Sequence, residues 1–111
     1  MKKIVISAIA VFVSGQINAA MVVTPVPVTI TSFYVQTTYG GGDVAFVVSS
    51  APTGCEHGFW LRPSDAGFKS AYAAILTAHT AKTPLYIWAY DNELWSGSSG
   101  HFCRVDAIRP M

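Results

Sequence analysis

The sequence predicts a small, mainly β domain with one helix, its elements in the order β-β-β-α-β-β. Three observations carry that expectation. Short runs rich in Val, Ile, Phe, Tyr and Thr alternate with Gly, Pro, Ser and Asp clusters, as strands joined by turns do. Phe68, Tyr72, Ile75, Leu76 and His79 are spaced by 4, 3, 1 and 3, which lays them along one stripe of an α-helix. Leu85-Tyr86-Ile87-Trp88-Ala89-Tyr90 alternates between two faces, as a strand does.

Taken in order, residues 20–27 carry two prolines and read as a loose arm or edge segment. Residues 28–39 read as one long strand, with Ile30, Phe33, Tyr34, Val35 and Tyr39 among threonines and a bulge near Ser32. Gly40-Gly41-Gly42-Asp43 is a turn, because glycine reaches positive φ at no steric cost. Residues 44–50 form the second strand, in a hairpin with the first. Ala51-Pro52-Thr53-Gly54 turns the chain again. In the third strand, residues 55–62, Cys55, His57, Phe59 and Leu61 point one way and Glu56, Gly58, Trp60 and Arg62 the other. Pro63-Ser64-Asp65 opens the helix, with Ser64 as N-cap and Asp65 facing the positive helix end. Lys82-Thr83-Pro84 closes it. Residues 85–90 are the fourth strand, residues 91–100 a polar loop containing Trp95, and residues 102–108 the last strand. A five-stranded OB-like barrel carries its helix between strands 3 and 4. Closing into a barrel also removes exposed sheet edges. An open antiparallel sheet with one helix across it is the alternative.

Ahead of this domain, residues 1–19 read as a secretory signal peptide. Met1-Lys2-Lys3 is basic, residues 4–13 are apolar and uncharged, and Ser14-Gly15-Gln16-Ile17-Asn18-Ala19 supplies a small-residue cleavage end. The apolar run is shorter than the roughly 20 residues a spanning helix needs. No lipobox cysteine follows it. Cleavage after Ala19 leaves residues 20–111 as a single domain, secreted or periplasmic; cleavage after Ala20 is the alternative.

The chain has seven Lys+Arg and six Asp+Glu. Without Lys2 and Lys3, five basic residues face six acidic ones, so the domain's net charge is −1. No concentrated Lys/Arg patch remains for nucleic acid, and no polybasic stretch for anionic lipid. Charged residues are 12% of the chain, against about 25% in an ordinary domain. A surface so poor in charge suggests that part of it is covered. Cys55 and Cys103 are an even pair in an exported chain, so a disulfide is expected. It staples a domain small enough to be marginal by core burial alone.

Export, one small domain, the β-β-β-α-β-β order and an internal disulfide together resemble the cell-binding B subunits of AB5 toxins. The segment that carries the resemblance best, residues 68–95, reads FKSAYAAILTAHTAKTPLYIWAYDNELW. Its helix, its Lys/Thr/Pro turn and its aromatic strand ending near a Trp look like the subtilase-cytotoxin and pertussis-like B subunits. The likeness is one of layout. It implies a homo-oligomer, a pentamer among the options, a cell-surface glycan as ligand and a separate A-type catalytic subunit.

Two places are expected to carry function. The outer helix positions Ala66, Ser70, Ala73, Ala74, Thr77 and Ala81 are small and neutral, where a surface helix ordinarily shows Lys and Glu. Small residues let another backbone approach, so Ala66, Ser70, Ala73 and Thr77 are the expected oligomer face. The second place is the loop after the aromatic strand. Trp95, Tyr90, Asp91, Asn92, Ser96 and Ser98 offer a ring face beside amide, carboxylate and hydroxyl groups, a set that suits a sugar. Catalysis has little support. Ser99, His101 and Asp106 share one short segment without a nucleophile elbow. Asp91 and Glu93 are two acids near a loop, with nothing further to mark a glycosidase. Gly40-Gly41-Gly42 sits at a hairpin and does not cradle phosphate, and His57, His79 and His101 lack zinc spacing to the cysteines. No enzyme activity, cofactor or metal is expected.

Overall fold

The computed structural model describes residues 20–111. The expected signal peptide, residues 1–19, lies outside the described residues. The fold is mainly β with one helix. In chain order the elements are β1 (Met21–Val23), β2 (Ile30–Val35), β3 (Val44–Val48), β4 (Gly58–Leu61), α1 (Phe68–Ala81), β5 (Leu85–Leu94) and β6 (Phe102–Pro110). They form one mixed six-stranded sheet in the order β1-β5-β6-β4-β3-β2. Neighbours are antiparallel except β4 and β6, which run parallel.

The sixth strand is a correction to the expected five. It comes from the arm read as loose, where Met21, Val22 and Val23 pair with Tyr90, Ala89 and Trp88. Pro25 and Pro27 donate no hydrogen bond, so the residues around them hold the arm down. Buried Thr24 donates its N–H to the Ile87 carbonyl at 3.0 Å and accepts the Ile87 N–H on Oγ1 at 3.2 Å. Val28 then exchanges backbone bonds with Leu85 at 2.9 and 2.8 Å. The expected long strand shortens to β2, with its register shift between Ile30 and Ser32.

Two more boundaries move for identifiable reasons. β4 starts at Gly58, because Cys55 and Gly58 are held in successive turns by the carbonyls of Pro52 and Cys55. Gly58 has φ +139°, and a Cβ there would run into the Phe46 carbonyl on β3. The helix begins at Phe68 with Gly67 at its N-cap and no side-chain cap, so Ser64 is not the cap. Turns through Arg62, Asp65 and Phe68 fill the intervening segment. At the other end Lys82 is left-handed (φ +59°), and its N–H and that of Thr83 close onto Ala78 and His79 carbonyls before Pro84.

Apolar alternation explains the packing. Leu85, Ile87 and Ala89 of β5 are fully buried, while Tyr86, Trp88 and Tyr90 are half-buried. On the helix, Ile75 and Ala78 are buried and Phe68, Ala71 and Tyr72 pack against the same core. Leu76, expected in the stripe, is 42% exposed. It lies about 100° around the helix from Ile75, whereas Ala78 lies about 60° away. His79 Nδ1 meets the Ile30 carbonyl at 3.2 Å, and its ring stands edge-on to Phe33.

A second, smaller core covers the opposite face of β3, β4 and β6. Ala45, Trp95 and Phe102 are buried there, with Val47 and Trp60 against them. Burial on both faces is why β3 reads as an unbroken apolar run. The Cys55–Cys103 disulfide, with Cα atoms 5.4 Å apart, ties the turn before β4 to β6. Among the described residues, no helix is long and apolar enough to cross a membrane.

Candidate functional site

The expected ligand loop folds inward. Trp95 is only 6% exposed. Its indole N–H donates to Asp43 Oδ2 at 2.9 Å, and its ring stands edge-on to Phe102 and Tyr39. Gly97 crosses so close to that ring that any Cβ would collide with it. Trp95 is therefore a core residue with no ring face open to a sugar. Its neighbours also serve the loop. Ser96 Oγ and Tyr39 Oη share a 3.0 Å hydrogen bond, and Ser98 Oγ accepts the Gly100 N–H at 2.9 Å. Two residues weighed for a triad have other partners: His101 meets Glu56, and Asp106 meets Tyr90.

The residues that do converge lie where β5 and β6 lose register. Tyr90 pairs with Arg104, but the next pair is Leu94 with Cys103, so Asp91, Asn92 and Glu93 bulge out of β5. A second shift, between Trp88 and Ala89, leaves Asp106 as the extra residue of β6. Bulges of this kind re-aim side chains. Glu93 turns back so that Oε1 accepts from Arg104 Nε at 2.6 Å, while its carbonyl accepts the Trp60 indole N–H at 3.0 Å. Asp106 Oδ1 accepts the Tyr90 hydroxyl at 2.6 Å.

Arg104 is the hub. Besides Glu93, it donates from Nη1 to Asp65 Oδ2 at 2.9 Å, and its guanidinium lies 4.9 Å over the Tyr90 ring. Asp65 Oδ1 in turn accepts from Arg62 Nε at 3.0 Å and Nη2 at 2.8 Å. The chain turns before the helix put Asp65 within reach of β6. The electrostatics follow from these contacts. The hydrogen bond to Glu93 raises the Arg104 pKa above its already high value. The bond to Asp106 raises the Tyr90 hydroxyl's pKa, because that carboxylate needs the proton it accepts.

Beside this network runs a cleft of about 490 Å³ between the helix N-terminus and β6. Arg62, Asp65, Arg104 and Asp106 supply its polar wall; Phe68, Ala71, Ala74 and Ile108 its apolar one. A smaller hollow of about 270 Å³ continues along the helix past Ala73, Thr77 and Pro110. Of the expected oligomer face, Ser70 lines the first and Ala73 and Thr77 the second; Ala66 is exposed and lines neither. Of the expected ligand residues, Tyr90 touches the network, Asn92 is exposed in the β5 bulge, and Asp91 packs 3.2 Å from where a Gly54 Cβ would stand.

Sequence reasoning missed Arg62 and Arg104 and gave Asp65, Glu93 and Asp106 other duties. The available signal was scarcity. The domain has only eleven charged side chains, and five of them meet here. Among the described residues, no group of three or more His, Cys, Asp or Glu is placed to hold a metal ion. The arrangement can offer fixed donors and acceptors beside an apolar ring, which is a binding chemistry. No protein-family model matches the chain, and no curated protein is significantly similar to it in sequence.

Proposed function

We propose that this chain is an exported glycan-binding subunit, a B-type cell-binding component that works as a homo-oligomer beside a separate A-type chain. The observation that carries the binding reading is the 490 Å³ cleft with its preset Arg62–Asp65–Arg104–Glu93 network. The volume is in the range of small-ligand sites, about 300–1,000 Å³. Sugar hydroxyls both donate and accept, so they match a wall of alternating guanidinium and carboxylate groups. Hydrogen bonds to charged groups are the stronger kind, about 1.5–3 kcal/mol each. Phe68, stacked on Tyr72 at 6.1 Å, supplies an apolar surface for a ring face. The sugar site therefore moves from the Trp95 loop to the helix–β6 cleft.

The finer fold reading is an OB-like barrel. In its support, the chain from β1 to β2 touches both sheet ends: Val28 bonds to Leu85 of β5, and the Thr29 carbonyl accepts from Ser49 just past β3. Counted as one bent strand, residues 21–35 give five strands with the helix between the third and fourth. The oligomer reading rests on the neutral outer helix face and on exposed Leu76.

A second reading, an envelope module that binds protein, is favoured by the arm. Met21, Val23 and Val26 are 46%, 41% and 50% exposed. Glycan-array binding by the purified protein separates the two. The expected result is selective binding that Arg62→Ala weakens at least tenfold, worth about 1.4 kcal/mol. Full binding by that variant would remove the cleft as the site, and no glycan binding by the wild type would favour the protein-binding module.

A further inference from the structure

The cleft's charge balance selects among glycans. This inference rests on the glycan reading above and deepens it. Arg62, Arg104, Asp65 and Asp106 line the cleft, and Glu93 is bonded to Arg104 behind it. Two guanidiniums thus face three carboxylates, leaving one negative charge in excess.

The two cations are also committed. Arg62 gives Nε and Nη2 to Asp65, and Arg104 gives Nε to Glu93 and Nη1 to Asp65. Each guanidinium is thus already offset by a carboxylate, so an incoming anion meets little uncompensated positive charge. Among the described residues, Asp106 is the cleft-lining carboxylate that makes no ion pair; its Oδ1 accepts the neutral Tyr90 hydroxyl. The helix N-terminus adds about half a positive charge nearby. That half charge does not cancel the excess of one.

We infer that the cleft takes neutral glycans and rejects sialylated or otherwise acidic ones, with Asp106 as the residue that sets this preference. A sugar hydroxyl can donate to the carboxylate of Asp106, whereas a ligand carboxylate meets a like charge. One unmatched charge about 6 Å away, at an effective dielectric near 40, disfavours an anionic ligand by about tenfold.

The test uses the purified protein on matched pairs of oligosaccharides, each neutral glycan beside the same glycan capped with sialic acid. Titration calorimetry in low salt reads both affinities for wild type and Asp106→Asn. The amide keeps an oxygen for the Tyr90 hydroxyl and drops the charge. The expected result is a neutral-over-sialylated preference of about tenfold in wild type that shrinks to about threefold or less in Asp106→Asn. Equal or tighter sialylated binding by wild type overturns the inference and leaves the glycan reading standing. So does a preference that Asp106→Asn leaves intact, since the selection then lies elsewhere. Absence of binding to every member of both series overturns the glycan reading itself.

Discussion

Trp95 gives its indole N–H to Asp43 across 52 residues of chain, at 2.9 Å and out of water. That bond closes the second core over the outer face of β3 and β6 and fixes the loop that follows. Its removal is a stability experiment. Asp43→Ala leaves a buried donor without an acceptor, at a cost of about 1–3 kcal/mol. Trp95→Phe keeps a ring but strands the Asp43 carboxylate, with a loss of similar size. Urea unfolding checks both. Neither is expected to change ligand binding once the protein is folded, because the ring is sealed from the helix–β6 cleft.

How much of this was legible in the sequence differs by element. The alternation of β5 and the helical stripe about Ile75 could be read because each buries one face against one core. The apolar run of β3 could be read, but its burial on both sides, under a second core, could not. A Trp in a Gly/Ser loop between polar residues looks exposed when only neighbours in sequence are considered. Its partners Asp43 and Tyr39 are more than 50 residues away. The charged cluster was hidden for the same reason: it depends on two register shifts, and strand register is not written in local composition.

The disulfide predicts a larger effect. Cys55 and Cys103 are separated by 48 residues. Closing a loop of that length removes about 4 kcal/mol of unfolded-state entropy. The double variant Cys55→Ser/Cys103→Ser is expected to lose about that much, near the whole stability of a domain this small. Thermal unfolding with and without reductant reads it.

Gly58 predicts a backbone effect. Its φ of +139° and the facing Phe46 carbonyl leave no room for a side chain where β4 meets β3 and β6. Gly58→Ala is expected to destabilise by roughly 2–4 kcal/mol, through strain and a forced strand shift. Denaturant unfolding measures the loss. Gly67→Ala is the control, since nothing lies within 4 Å of a Cβ there.

The acid limb of stability should depend on Glu56. Its carboxylate accepts the N–H of Gly54 at 2.9 Å, its own backbone N–H, and a contact from His101 Nδ1 at 3.2 Å. These bonds hold its pKa below the ordinary 4.5. A lowered folded-state value means stability that is present above 4.5 and lost as pH falls through the folded value. The wild-type melting temperature should therefore drop more steeply than that of Glu56→Gln as pH falls from about 4.5 toward 3. Melting curves across that window settle the comparison, and parallel slopes would count against the contact.

The two arginines of the cluster should part company. Arg104 is held by Glu93, Asp65 and the Tyr90 ring with its side chain 15% exposed, so Arg104→Ala is expected to cost roughly 2–3 kcal/mol. Arg62 pairs with Asp65 at 43% exposure, and Arg62→Ala is expected to cost under about 1 kcal/mol. Chemical denaturation ranks the pair. It also makes Arg62 the cleaner probe of binding.

That probe leads to the measurement that bears most directly on the cleft. A ¹H–¹⁵N titration of the purified protein with neutral galactose-, mannose- and N-acetylhexosamine-terminated oligosaccharides reports every backbone amide at once. The account predicts shifts concentrated at Arg62, Phe68, Ser70, Arg104 and Asp106, with residues 95–100 quiet. Shifts confined to residues 95–100, or none across the whole series, would contradict it.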